Sequence, residues 1–300
     1  MGAITRIGFI GLGQMGSHMA RNLLRPDTAL VVSDLSAERV EALCASGARA
    51  ATGSKDFADC SLIFISVPGG KELKSVVLEE GGLMPHLSKG QTVVDLSTVV
   101  LSATREVAGA LAAKGVDFLD APVSGMEKGA QAGTLAIMVG GEEPVFERVK
   151  PYLERIGKTI VHMGGHGAGQ LTKAINNSLY DICIAGTMEI LLLAQKAGLD
   201  PVKVGNVINN GSARSFASEH FIPRVLDGEF RGSFPIAWAY KDLITTHEVA
   251  IEKAVPIPIL SAVTGVYRTA MQMGHGMEDK GSMALVYEDI LNLKFRRLPE

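Results

Sequence analysis

A short apolar run at residues 7–10 passes without a break into Gly11-Leu12-Gly13-Gln14-Met15-Gly16, and from there into an amphipathic stretch of helical period over 15–25. A G-x-G-x-x-G loop between a strand and a helix admits few folds. The first glycine allows the tight turn, the second lets the backbone approach a pyrophosphate, and the third lets the helix pack on the strand with its first amides aimed at an anion. These six residues form a candidate dinucleotide loop. The next apolar run, 29–33, ends at Asp34, 18 residues past Gly16, where a carboxylate accepts hydrogen bonds from adenosine ribose hydroxyls. A carboxylate also repels a 2′-phosphate, so the expected cofactor is NAD; NADP stays open because Arg39 follows five residues later.

Beyond the loop, aliphatic runs at 62–67, 92–96, 117–119, 135–139 and 159–162 alternate with helical stretches at 37–46, 103–114 and 144–156. That rhythm predicts βαβ units and a doubly wound α/β (Rossmann) domain over residues 1–164. Ligands of such sheets sit at the C-terminal strand ends, which makes Val67, Pro68 and Thr98 candidate cofactor contacts.

A glycine-rich segment at 163–169 ends the alternation, and no further strand pattern follows. Residues 165–300 are therefore expected to be all-helical, opening with one helix of about eight turns at 168–197. Gly198 suits the position after its end, and Asp200-Pro201 suits the start of the next. Later helices are expected near 202–209, 217–226, 239–253, 259–273 and 281–293. The second half of the long helix is apolar on nearly every side, so it should be buried all round. Five further helices do not supply that cover, which predicts a homodimer or homotetramer built through the helical domain.

Composition excludes other classes. With 29 Lys and Arg against 32 Asp and Glu the net charge is −3, which is not the balance of a nucleic-acid binder. The three cysteines, Cys44, Cys60 and Cys183, show no paired spacing, as expected of free thiols in a reducing compartment such as the cytoplasm. No leader pattern opens the chain, and the longest apolar stretch, 179–194, is interrupted by Asp181 and Glu189 and falls short of a membrane span. His162 and His166 flank two glycines with no acidic third ligand nearby, so no metal is expected.

The segment Gly167-x-Gly169-x-x-x-Lys173-x-x-x-Asn177 carries the chemistry. Lys173 and Asn177 stand at i and i+4, projecting from one helix face. An ammonium there can bond a substrate oxygen and pass a proton while hydride moves. As a base near neutral pH, a lysine must first fall from about 10.4 by desolvation. By itself the spacing suits a surface lysine equally well.

Four ordered motifs resemble the β-hydroxyacid dehydrogenase family along nearly the whole chain: GFIGLGQMGSHMARNL at 8–23, Phe118-Leu-Asp120-Ala-Pro122-Val-Ser124-Gly125, the Lys173–Asn177 segment, and Lys241-Asp242-Leu243. The resemblance implies NAD(P)-dependent oxidation of a short 3-hydroxy acid, or reduction of its semialdehyde. It implies Lys173 as acid/base, Asn177 as the residue that orients a small carboxylate substrate, and Ser124 and Gly125 as holders of its carboxylate. Val67 and Thr98 would touch the nicotinamide ribose region, and Lys241 would close over the cofactor from the second domain. A hydroxyl and a backbone N–H suit a carboxylate. Alternatives are reduction of tartronate, succinic or sulfonated semialdehydes, imine reduction, and a non-catalytic NAD(P)-binding role; an intact Lys173–Asn177 pair weighs towards the dehydrogenase. One departure stands out: Met126 occupies the position where the family usually has a second glycine, and a side chain there narrows the pocket or shifts the loop.

Overall fold

A computed structural model describes residues 6–297 with the exception of Asp27 and Ser233. The reading of the chain's start rests in part on residues 1–5, which lie outside the described residues. The chain divides into two compact units, Met1–Lys173 and Ala174–Glu300.

The first unit is a nine-stranded sheet flanked by helices. Its elements in order are β1 (Arg6–Ile10), α1 (Gly16–Leu23), β2 (Ala29–Ser33), α2 (Ala37–Cys44), β3 (Arg49–Ala50), β4 (Leu62–Ile65), α3 (Gly70–Val77), β5 (Thr92–Asp95), α4 (Leu101–Ala113), β6 (Asp117–Asp120), β7 (Val123–Ser124), α5 (Met126–Ala132), β8 (Leu135–Gly140), α6 (Glu143–Leu153) and β9 (Gly157–Gly164). The order is β3-β2-β1-β4-β5-β6-β8-β7, with β9 on β8. Strands β3 to β6 run parallel, whereas β8 is antiparallel to β6 and parallel to β9. The Rossmann expectation holds, with an antiparallel step added at one side.

Alternation along each strand builds two cores. Leu62 and Phe64 face the side that also buries Ile7, Phe9, Met19 and Leu23, while Ile63 and Ile65 face the side holding Leu73, Val77, Val107 and Leu111. Burial on both faces explains the unbroken apolar runs of the central strands. The sequence reading lacked β3, β7, α3 and α5: two strands of two residues each, and two helices of only eight and seven residues.

Helix α7 (Ala168–Lys196) follows. The compact units divide inside it rather than at the glycine-rich turn, because its first turn is bonded to the ends of the sheet. At its other end Gly198 has φ 83°, with Leu199 N–H donating to Ala194 O at 3.0 Å and Gly198 N–H to Gln195 O at 3.0 Å. These paired bonds satisfy the last carbonyls and stop the helix.

The second unit adds α8 (Pro201–Asn210), α9 (Phe216–Leu226), α10 (Ile236–Glu252), α11 (Pro258–Gln272) and α12 (Met283–Leu291). Its core joins Ile184, Met188 and Leu192 of α7 to Phe221, Leu243, Tyr267 and Met283. The incomplete cover expected of α7 in one chain is seen. Within a single chain α7 is not buried all round: Ile175, Leu179, Ile190 and Leu193 are exposed, since α8 to α12 cover only part of its circumference. Among the described residues α7 is also the one helix long and apolar enough to cross a membrane. Its polar side chains Lys173, Asn177 and Asp181 are buried within protein, the pattern of a core helix.

Candidate active site

The glycine loop lies at the C-terminal end of β1, where the strand order reverses between β1 and β4. Gly11 turns the chain at φ 92°, and a Cβ there would stand 2.0 Å from Ser66 O. A Cβ on Gly16 would stand 2.0 Å from Gly11 O. Gly13 differs: its added Cβ would meet nothing within 4 Å. The outer glycines are thus demanded by packing, while the middle one leaves bare backbone facing open space, a cradle that fits a pyrophosphate.

Asp34 belongs to the same cradle. Leu12 N–H donates to its Oδ2 at 2.5 Å and Ser36 N–H to its Oδ1 at 2.8 Å. Arg39 Nη1 lies 3.7 Å from Oδ1. Gln14 and Pro68 are exposed, Met15, Val67 and Thr98 half-buried. Val67 N–H donates to Ser97 Oγ at 2.9 Å, which ties the loop after β4 to the loop after β5.

Two buried carboxylates close β5 and β6 side by side, Asp95 opposite Asp120 in the parallel register. Asp120 caps α7 from outside that helix: Gly167 N–H donates to Oδ1 at 2.7 Å and Gln170 N–H to Oδ2 at 3.0 Å. Orphan amides of a helix start are thereby satisfied. Gln170 completes the lock, accepting from Val99 N–H at 3.0 Å and donating to Ser97 O at 2.8 Å. Gly169 permits the approach, since a Cβ there would stand 2.3 Å from Met138 O. His162 and His166 bond the carbonyls of Gly141 and Phe118.

One turn after Gln170 comes Lys173, only 8% exposed. Asn177, on the same helix face, donates from Nδ2 to Asp242 Oδ2 at 2.7 Å. Asp242 is itself buried on α10, beside the half-buried Lys241. Ser124 is half-buried at the end of β7, and Gly125 is exposed at φ 139°.

Burial pushes the Asp95 carboxyl up to about 7, opposed by Ser97 and reinforced by the negative charge of Asp120. Its Oδ2 has no hydrogen-bond partner. A carboxyl raised on folding favours the neutral form, so its contribution to stability is present below the ordinary carboxylate range and is lost as pH rises through about 7. Asp95→Asn is therefore expected to raise the thermal midpoint at pH 8 and to leave it almost unchanged at pH 4. Parallel midpoint curves for the two proteins across that range would contradict it.

Known proteins match this arrangement in sequence and in fold. The family pattern described as the NAD binding domain of 6-phosphogluconate dehydrogenase matches residues 6–165, and that described as NAD-binding of NADP-dependent 3-hydroxyisobutyrate dehydrogenase matches 167–287. The 2-(hydroxymethyl)glutarate dehydrogenase of Eubacterium barkeri is 39% identical over 95% of this chain and 95% of its own. The 2-hydroxy-3-oxopropionate reductase of Escherichia coli K12 is 37% identical over 96% of this chain and 99% of its own. The chain belongs to the β-hydroxyacid dehydrogenase family. Among solved structures, a 3-hydroxyisobutyrate dehydrogenase from Salmonella typhimurium superimposes with a TM-score of 0.85 at 28% identity, over 94% of this chain and 99% of that one. Likeness to an imine reductase from a Pseudomonas species, at 19% identity and a TM-score of 0.61, shows the fold alone. This β-hydroxyacid dehydrogenase is an NAD(P)-dependent oxidoreductase.

In this β-hydroxyacid dehydrogenase two positioning groups escaped the sequence reading, Gln170 and Glu127, as did the bond from Asn177 to Asp242. Gln170 lies inside the Lys173 motif and Asp242 beside Lys241, so proximity to a motif was the available signal for both. Glu127 offered none.

Proposed function

We propose that this chain interconverts a short 3-hydroxy carboxylic acid and its semialdehyde, with Lys173 as general acid/base and NAD as the preferred nicotinamide. The observation that carries the reading is the fixation of the first turn of α7: Asp120 and Gln170 hold it to the strand ends, and Lys173 follows buried one turn later. A lysine on a rigid element, withdrawn from water, suits proton transfer better than surface chemistry.

The bound nicotinamide supplies the hydride acceptor in oxidation and the donor in reduction. Lys173 accepts the hydroxyl proton of the acid, or returns one to the semialdehyde oxygen. Asn177, fixed by Asp242, orients the substrate on the same helix face. Ser124 Oγ and the Gly125 N–H bind its carboxylate. The glycine loop from Gly11 to Gly16 holds the pyrophosphate and Asp34 the adenosine ribose; Val67, Pro68 and Thr98 serve the nicotinamide side, and Lys241 also serves the cofactor. Backbone N–H groups of Leu12 and Ser36 fix both Asp34 oxygens in place, and a carboxylate at that position disfavours a 2′-phosphate.

The test is absorbance at 340 nm with NAD or NADP and a panel of short 3-hydroxy acids and semialdehydes. Turnover with at least a tenfold NAD preference is expected; binding of cofactor with turnover of none of them removes the reading.

The reading extends to a homodimer or homotetramer in the cytoplasm, assembled through the helical unit. Ile175, Leu179, Ile190 and Leu193, all exposed, fall within one narrow sector of α7 and form a stripe about 27 Å long at 1.5 Å per residue. Sedimentation at micromolar concentration is expected to give a dimer or tetramer; a monomer would refute it. Three free cysteines agree with a reducing compartment.

A further inference from the structure

Met126 begins α5 at φ 58°, the left-handed region that favours glycine. It follows Gly125, itself at φ 139°, so two successive residues after Ser124 hold conformations that glycine adopts without strain. Only one of them is glycine. Packing within its own unit does not account for the exception, because Met126 is 39% exposed. A strained, exposed, unbranched apolar side chain points to use by something outside the fold.

The surroundings fix where that use lies. On one side Val123 and Ser124 pair with Ile137 and Ala136 of β8. On the other, the next residue, Glu127, is bonded to the glycine loop: Gln14 Nε2 donates to its Oε2 at 2.7 Å, and His18 Nε2 lies 3.1 Å from its Oε1. Asn22 Nδ2 donates to Ala130 O at 2.8 Å, fastening the same short helix to α1. Met126 is thus held between the Ser124–Gly125 loop and the dinucleotide loop. The bonds from Gln14 and His18 hold the Glu127 carboxyl below the ordinary carboxylate range, so it is charged at neutral pH.

We propose that Met126, backed by Glu127, is a specificity-determining wall that selects monocarboxylate 3-hydroxy acids with an uncharged substituent and rejects substrates carrying a second anionic group. It rests on the assignment of Ser124 and Gly125 as the carboxylate-binding loop. A second carboxylate or sulfonate laid against the thioether loses water and gains no donor. The fixed negative charge of Glu127 beside it adds repulsion. A methyl or hydroxymethyl group meets neither penalty.

The experiment compares kcat/KM for 3-hydroxyisobutyrate, a monoanion, and 2-(hydroxymethyl)glutarate, a dianion, in the wild type, Met126→Ala and Met126→Gly. The wild type is expected to favour the monoanion at least tenfold, and both variants are expected to reduce that ratio at least tenfold. Alanine keeps the backbone strain and glycine removes it, so the thermal midpoint should rise in Met126→Gly alone. A ratio within twofold of wild type in both variants overturns the proposal, as does a wild-type preference for the dianion. Ser124→Ala tests the underlying assignment separately: it should raise KM for both substrates alike. An unchanged KM there removes the loop assignment and the wall with it, whereas a raised KM with an unshifted ratio in both Met126 variants removes the wall alone.

Discussion

Replacing Lys173 by alanine is expected to lower kcat/KM about a thousandfold in either direction, within the range that positioned general acid/base groups contribute. At 1.36 kcal/mol per factor of ten that is roughly 4 kcal/mol of transition-state stabilisation. Cofactor affinity, read by quenching of protein fluorescence with NADH, should stay within about twofold, because the groups assigned to the dinucleotide are the glycine loop, Asp34, Val67, Pro68, Thr98 and Lys241, all of which the variant leaves in place. Folding should also survive, since alanine is the best helix former and Lys173 stands inside the 29-residue helix α7. The arginine variant sharpens the point. Lys173→Arg keeps the positive charge but does not give up its proton near neutral pH, so it should be nearly as inactive as alanine. If Lys173→Ala loses less than tenfold in kcat/KM, or loses cofactor affinity in the same proportion, the acid/base assignment fails.

How far such a site can be read in advance depends on how local its physical requirement is. The glycine loop was legible because its two outer glycines answer to atoms a few residues away or at the end of the adjacent strand, as the 2.0 Å approaches at Gly11 and Gly16 show. The central strands were legible because double burial leaves runs such as Leu62–Ile65 without a polar residue. The long helix was legible for the converse reason, a 3.6-residue period held over eight turns and closed by Gly198. Its environment was not. Five further helices are expected to leave it partly bare, but nothing local tells which residues stay exposed, and these are Ile175, Leu179, Ile190 and Leu193. The hydrogen bonds that fix the candidate catalytic segment were hidden for a similar reason. Asp120 meets Gly167 and Gln170 across 47 and 50 residues, and Gln170 meets Val99 across 71. Asp120 is a loop-fixing carboxylate, but what it fixes lies on another part of the chain.

That distant anchorage yields the second large expected effect. Asp120→Ala removes the acceptor of two N–H groups at a buried helix start, and an unsatisfied buried donor costs about 1–3 kcal/mol. Some of this is offset, because burial raises the Asp120 carboxyl and its removal relieves the cost of a buried charge. A net loss of about 3 kcal/mol and a fall in thermal midpoint of roughly 5–10 °C are expected for a chain of this size. Asp120→Asn is the more telling variant. It preserves shape and removes charge, yet its NH2 group must face one of two N–H donors, so only one of the two bonds can be kept. If charge burial dominated, Asn would be neutral or stabilising; if double acceptance dominates, Asn should lose most of what Ala loses. The same variant should lower kcat more than it raises KM for the cofactor, because the turn it loosens leads directly into Lys173 while the glycine loop is untouched. An Asp120→Asn protein with wild-type midpoint and wild-type kcat would show that α7 is positioned by the packing of Gly169 and by Gln170 alone.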